Sequence, residues 1–331
     1  MTRIEAPYAA YLRRLGIEEP GAPSVEGLFA LQRAHLERVP YENVDIQLGR
    51  APGIDPELSA RRFAAGRGGY CFHLNGALAA LLGHLGYEVT RHVGGVYKES
   101  QAEDALRGVS GDHLALTVRV PGATADADRV FYVDAGLGDG PHEPLPLREG
   151  TYRQGAFAYS LERLPGTGWL YRHPGSSAPL VNFRAEPAGT AGAAGFEAEH
   201  LRLSTSGDSG FVRTFAALRR DADGIDALRG RVLSRTDPVK GNTERVLDGP
   251  EEFFAALEGV FGRALDDLTP TDRTALWTRV DRAHESWAAG REAAGRAAAG
   301  REAAGPEATG PEATGRETAA DGATAGVTRE G

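Results

Sequence analysis

The sequence predicts an α+β protein built in successive parts, and three observations predict it. Apolar residues recur at helical spacing up to about residue 87. Short runs rich in Val, Leu, Thr and aromatics, broken by Gly, Pro and Asp, follow to about 185. Strands and helices then mix to 287. The chain has 331 residues, 41% hydrophobic and 25% charged, enough for two or three domains with a substantial core. We divide it into a helical domain at 1–87, a β-barrel domain at 88–200, an α/β lid at 201–287 and a disordered low-complexity tail at 288–331.

In the helical part, Ser24 caps a helix carrying Leu28, Phe29, Leu31 and Leu36, and Pro40 stops it. A second helix starts near Pro56 and ends before Gly66. A third begins at Cys71 and carries Leu74, Leu78, Leu81, Leu82 and Leu85, with Gly86 placed to terminate it. Strands are expected at 87–97, 113–120, 130–134, 157–164 and 169–172, a pattern of a small antiparallel sheet or barrel. Further strands are expected at 211–218 and 230–235. They are followed by a helix at 250–260 and by one with Thr269 as cap, Pro270 in its first turn, and Leu276, Trp277, Val280 and Trp287 buried. The tail has Gly every five residues from Gly290 to Gly315, no aromatic residue, and Val327 as its one large aliphatic. Such a segment buries too little apolar surface to offset chain entropy, and its glycines disfavour helix.

Composition narrows the function. No apolar run approaches the roughly 18 residues that cross a membrane. The start, MTRIEAPYAAYLRRLG, lacks the apolar core of a secretory signal. One cysteine cannot form an internal disulfide, which favours a reducing, cytoplasmic setting. A net charge of −9 argues against nucleic acid as partner, and an anionic ligand would need a local basic or amide-lined pocket. The scattered His84, His92 and His113 lack metal-ligand spacing, so no metal is expected.

The chemistry centres on Cys71 in the string Arg67-Gly68-Gly69-Tyr70-Cys71-Phe72. A thiol at a helix start meets free backbone N–H groups and the positive end of the helix dipole, both of which favour the thiolate. A thiol nucleophile needs a base, and the base an orienting group. His113 opens one predicted strand and Asp134 closes the next, so adjacent strands would set them side by side. Cys, His, Asp is also the order found in papain-like thiol enzymes. Taken singly each residue has a plain reading: a small buried hydrophobe, a satisfied core histidine, a turn former before glycine.

Four ordered motifs decide between these readings. Arg67-Gly68-Gly69-Tyr70-Cys71-Phe72, with Asn75-Gly76 after it, resembles the signature of arylamine N-acetyltransferases. Val39-Pro40-Tyr41-Glu42-Asn43-Val44-Asp45, Asp112-His113-Leu114 and Val133-Asp134-Ala135-Gly136-Leu137-Gly138 resemble three further segments of that family. A looser likeness runs through Leu203-Ser204-Thr205-Ser206 and Ser209-Gly210-Phe211, and the whole covers roughly residues 5–270. The resemblance implies a three-part papain-like cysteine-enzyme fold: N-terminal helical bundle, antiparallel β-barrel, α/β lid. It implies Cys71 as acyl-accepting nucleophile, His113 as base and Asp134 as its orienter. Tyr41, Phe72 and Leu137 would line the substrate pocket, and Arg67 and Glu42 would form an ion pair holding the loop before Cys71. The implied reaction is ping-pong transfer from acetyl-CoA to a small aromatic amine or hydrazine. The partners are therefore an acyl-CoA and a small amine.

Two departures bear on this reading. His73 stands where the family usually has Glu. On a helix it lies on another face from Cys71, so it is either a tolerated change or an altered hydrogen-bond network. Leu137 stands where many members have Phe, which weakens stacking on a flat amine. Leu137 and the long segment 98–111 leave room for an amide synthase taking a longer acyl chain, and a non-catalytic homologue binding CoA or an amine is the remaining alternative. Gly136, Gly138 and Gly140 either bring backbone N–H groups to a CoA pyrophosphate or form a plain loop. Arg213, Arg219 and Arg220 are either phosphate partners or a solvated basic strand end.

Overall fold

The computed structural model describes residue 4 and residues 6–304, apart from 123–128, 165, 167, 175, 177 and 178. Two compact units result, Met1–Ser286 and Trp287–Gly331.

The first unit begins with α1 (Ala6–Arg14), α2 (Val25–Arg38), a two-residue strand β1 (Tyr41–Glu42), α3 (Val44–Gln47), α4 (Pro56–Ala64) and α5 (Cys71–His84). Ser24 Oγ accepts from Gly27 N–H at 2.9 Å to start α2. Asp55 does the same for α4 through Leu58 N–H at 2.8 Å, with Pro56 in the first turn. Helix α5 is apolar all round and sits in the centre of the largest core cluster, where Leu74, Leu78, Leu81 and Leu82 are at most 1% exposed.

Next come β2 (Glu88–Tyr97), α6 (Ala102–Arg107), β3 (His113–Arg119), β4 (Val130–Val133), β5 (Leu145–Pro146), β6 (Gly150–Gln154), β7 (Phe157–Leu164), β8 (Gly168–Arg172) and β9 (Leu180–Arg184). The eight strands form one antiparallel, barrel-like sheet in the order β5-β4-β3-β2-β9-β8-β7-β6. Alternation along β3 and β4 sends Leu114, Leu116, Val118, Phe131 and Val133 toward the helices. Ala115 and Tyr132 face an aromatic second core with Phe183 and Tyr171.

The last part holds α7 (Gly189–Thr205), α8 (Gly210–Arg213), β10 (Ala216–Arg220), β11 (Ile225–Arg229), β12 (Val232–Thr236), β13 (Thr243–Val246), α9 (Pro250–Gly259) and α10 (Pro270–Ala304). Strands β10 to β13 make a second antiparallel sheet whose edge is completed by β1, in the order β1-β10-β11-β12-β13. The fold is the expected three-part α+β arrangement.

Several local expectations are corrected. Residues 211–218 are not one strand: Ser209 Oγ accepts from Phe211 N–H at 3.2 Å and starts the short helix α8, so the strand begins only at Ala216. Helix α7 spans the position 200 at which we divided barrel from lid. Trp287 is 48% exposed, whereas Leu276 and Val280 on the same helix are buried. Helix α10 runs on to Ala304 where disorder was expected, because Ala, Arg and Glu between the glycines carry high helix propensity. Residues 305–331 lie outside the described residues. No helix among the described residues is long and apolar enough to cross a membrane.

Candidate active site

Cys71 is the first residue of α5, and Tyr70 before it is extended (φ −118°, ψ −172°). The turn into the helix is held by its third residue: His73 Nδ1 accepts from Tyr70 N–H at 3.4 Å. A Glu at that position would reach back in the same way, so His73 substitutes an imidazole nitrogen for a carboxylate oxygen. Its Nε2 lies 3.4 Å from Pro52 O, and its ring packs against Tyr70 and His200. Burial, helped by the neighbouring His200, pulls His73 down to about 3, so it is neutral. Cys71 is 4% exposed, and its Sγ lies 3.6 Å from Asp112 O.

The β3–β4 register pairs Leu116 with Val133. Continued past the end of β4, that register puts Ala115 opposite Asp134 and His113 one step along the same face, a diagonal neighbour. His113 Nε2 donates to Asp134 Oδ2 at 2.7 Å, which leaves Nδ1 for the thiol. Asp134 is fully buried and fully partnered. Its Oδ2 also accepts from Tyr132 OH at 2.6 Å, and its Oδ1 accepts from Asn75 Nδ2 and Gly136 N–H, both at 2.8 Å. Burial pushes Asp134 up, but His113 and these hydrogen bonds leave it below the usual carboxylate range. Burial likewise pulls His113 down, yet Asp134 and Cys71 overcome this and raise it to about 10. Burial pushes the Cys71 thiol up, while its interaction with His113 pulls it down. The three groups thus form a buried cluster whose charges act on one another.

Sequence reasoning did not assign roles to Asn75 and Tyr132. Asn75 is one helical turn after Cys71. Its Nδ2 also donates to Leu114 O at 2.6 Å, and its Oδ1 accepts from Ala135 N–H at 2.9 Å. It therefore ties α5 to both strands. Tyr132 is two residues before Asp134 on one strand face. Helical spacing of four and strand spacing of two were the available signals.

The thiol opens onto a cavity of about 430 Å³ lined by Tyr41, Cys71, Asp112, His113, Gly136, Leu137, Phe211 and residues of β2, β10 and β11. Tyr41 and Leu137 are therefore in the pocket as expected. Phe72 is not. It packs against Phe196 and Tyr70 in the core and is 1% exposed, because it follows Cys71 by a 100° step round the helix.

The loop glycines serve packing. Gly136 N–H is already given to Asp134, and a Cβ there would lie 2.8 Å from Cys71 Cα. Gly138 has φ +76°, and its Cβ would lie 2.9 Å from Tyr41 Cβ. These two residues let the loop close on Cys71 and Tyr41, and the Gly136 amide is spent on Asp134. Of the candidate arginines, Arg219 pairs with Asp226, and Arg213 is exposed at the end of α8. Arg220 is completely buried, donating to Gly224 O with its guanidinium 3.9 Å from the Phe157 ring centroid.

The Arg67–Glu42 pair does not form. Glu42 Oε1 accepts from Gly68 N–H at 3.1 Å and from Arg263 Nε at 3.2 Å, and Oε2 accepts from Val44 N–H at 2.6 Å. Arg67 Nε lies 3.4 Å from Asp267, which also takes both ends of the Arg263 guanidinium at 2.8 and 2.9 Å. The loop before Cys71 is thus held by a four-residue chain, Glu42–Arg263–Asp267–Arg67. The buried Arg263, distant in sequence, occupies the place expected for Arg67.

A family model described as N-acetyltransferase matches residues 24–269. An arylamine N-acetyltransferase of Mycolicibacterium smegmatis is 32% identical over 280 residues, 82% of this chain and 96% of that protein. The chain belongs to the arylamine N-acetyltransferase family. Among solved structures, the M. smegmatis arylamine N-acetyl transferase superposes with a TM-score of 0.74 at 27% identity, covering 84% of this chain and all of that one. The Mycobacterium marinum arylamine N-acetyltransferase, solved in complex with CoA, gives 0.72 at 26% identity, covering 83% and 99%. As an acetyltransferase of this family, the chain has its single cysteine and the buried His113 lining the cavity, with Asp134 behind the histidine at 2.7 Å.

Proposed function

We propose that the protein moves an acetyl group from acetyl-CoA to the nitrogen of a small aromatic amine or hydrazine through an acetyl-Cys71 intermediate. The Cys71–His113–Asp134 array opening onto the cavity carries this reading. In the first half-reaction Sγ attacks the thioester carbonyl, the C–S bond to CoA breaks, and His113 delivers a proton to the leaving thiolate. In the second, the amine nitrogen attacks the acetyl-Cys71 carbonyl, His113 takes the proton from nitrogen, and the Cys71 thiolate leaves. Asp134 holds the imidazole so that one nitrogen faces the thiol throughout. The first step exchanges one thioester for another at little cost, and the second forms a more stable amide.

The cavity suits this traffic. About 430 Å³ accepts a small ring and the end of a pantetheine arm. The likeness to a protein solved with CoA supports acyl-CoA as donor. Intact-protein mass spectrometry after exposure to acetyl-CoA tests the intermediate. The expected result is one acetyl group on the wild type, discharged by added amine, and none on Cys71→Ala. Full acetyl-CoA-dependent activity in Cys71→Ala overturns the mechanism. Acylation only by long chains offered on a carrier protein would favour the amide synthase.

A further inference from the structure

A cluster of titratable side chains that the acetyl transfer does not use sits where the start of α5 meets α7. His73 Nδ1 accepts from Tyr70 N–H at 3.4 Å, and His200 Nδ1 lies 2.6 Å from Tyr70 OH. His73 Nε2 lies 3.4 Å from Pro52 O, and His200 also bonds to the Pro52 backbone. The two imidazoles stand edge to face with their centroids 5.5 Å apart. Tyr70 caps the helix whose first residue is Cys71. It also carries Phe211 of α8, a residue of the cavity lining, at 4.9 Å between ring centroids, while Phe196 of α7 packs on Phe72 at 5.5 Å. Tyr70 thus joins the nucleophile's helix to α7 and α8, and His200 is the hydrogen bond from α7 to it.

These contacts close as one set of protons only when both rings are neutral. Tyr70 has two donors, its N–H and its O–H, and each meets an Nδ1. A neutral imidazole that accepts at Nδ1 carries its proton at Nε2, which leaves two Nε2–H groups for the two lone pairs of the Pro52 carbonyl. One more proton breaks the set. On His73 it puts Nδ1–H against Tyr70 N–H, a donor that cannot turn round. On His200 it makes Tyr70 OH the acceptor and strands the hydroxyl proton of a tyrosine with no solvent exposure. The surroundings are too tight to absorb this: the cavity beside His73 is about 10 Å³, and a Cβ on Gly69 would lie 2.7 Å from His73 Cβ. Arg62 of α4 and Asp45 of α3 act on His73 and are paired with each other. Glu199 of α7, together with Tyr41 and Cys71, acts on Tyr70, and Arg202 holds Glu199 at 2.9 Å. Burial keeps both histidines below their ordinary value. The unfolded chain takes up protons that the folded pair refuses, so folding weakens as pH falls below about 6.5.

We propose that His73 and His200 are positioning residues for Cys71: as a neutral pair they fasten the start of α5 to α7 through Tyr70, and a proton on the pair undoes that fastening and slows acyl transfer in acid. The effect on rate rests on the acetyl-transfer reading above. The placement of the protons does not.

The test reads the rate at which acetyl-CoA acetylates Cys71, with no amine present, from about pH 8 down to about pH 5 in the wild type, His200→Gln and His73→Gln. Glutamine keeps an acceptor for Tyr70, and is a usual partner at the third position of a helix, but does not titrate. The wild type is expected to lose about tenfold more rate over this range than either variant, the equivalent of one pH unit in its acid limb. Acid limbs that coincide in all three proteins overturn the proposal. Nitrogen-15 spectra of the wild-type imidazoles give a second measurement that needs no variant to fold. At about pH 8 both rings are expected to be neutral with the proton on Nε2, and a proton on Nδ1 of His73 overturns the proposal. A wild type that takes no acetyl group at about pH 8 removes the acetyl-transfer reading instead, and the nitrogen spectra then still decide the state of the pair.

Discussion

Asp134 spends all of its capacity on four donors, and the consequence appears first in His113, whose pKa it raises to about 10. The sign of the linkage follows. A histidine raised from about 6.5 contributes stability that is full below that value and is lost as pH rises through about 10. A depressed carboxylate contributes stability present above its unfolded pKa and lost as pH falls through its folded one. The stability gap between wild type and Asp134→Asn, from urea melts across pH, should therefore be widest between about 4 and 6.5. It should shrink steadily toward pH 10, and a gap that widens above pH 8 would contradict the assignment. In the same variant His113 loses its orienting charge, and acetyl transfer should fall by about 10² to 10⁴. The Cys71 alkylation profile should move to higher pH. Asn75→Ala leaves Ala135 N–H unpartnered in a buried site and should cost about 1–3 kcal/mol in chemical denaturation.

At the scale of elements, α5 is the piece against which the rest is placed. Leu78, fully buried on it, should cost about 2–5 kcal/mol when cut to Ala, read as a lower urea midpoint at constant slope. The loop leading into α5 depends on Arg263, which has no solvent exposure and bridges two buried carboxylates. Arg263→Met leaves Glu42 without its counter-charge, with Arg67 as the cation still beside Asp267, and should cost about 3–5 kcal/mol. A variant as stable as the wild type would show that the chain Glu42–Arg263–Asp267–Arg67 is dispensable. The helices and the first strands were legible because their signals are local: Ser24 and Thr269 as caps, Pro56 near a helix start, leucines at helical spacing, and short runs rich in Val, Leu and Thr bounded by Gly, Pro and Asp. The strand expected at 211–218 was not legible in the same way. Apolar composition suits either element there, and the choice rests on the Ser209 cap.

At the scale of the whole molecule, a chain of net charge −9 carries two cations without ion-pair partners among the described residues, Lys98 and Arg229, at the cavity that holds its nucleophile. Cations at the cavity of an acidic chain favour an anionic substrate there. The division after Ser286 also makes a prediction. Because Leu276 and Val280 lie before it, a chain ending at 286 should keep the thermal midpoint and the acetylation of Cys71, checked by calorimetry and mass spectrometry. A large drop in either would give the segment beyond 286 a part in the first unit.

The sequence by itself determined the nucleophile candidate, its histidine and carboxylate, their order, and the succession of helices, barrel strands and mixed lid. Each of these is written in local spacing or in a contiguous motif. Only the tertiary structure decided that Glu42 answers to Arg263 rather than Arg67, that Phe72 turns into the core, and that Gly136 and Gly138 stand in close contact with Cys71 and Tyr41. It also brought Tyr132, Asn75 and Arg229 to the site. The physical reason is common to all of them. A buried charge or donor takes whichever partner the packed chain brings within about 3 Å, and Glu42 and Arg263 stand 221 residues apart in sequence.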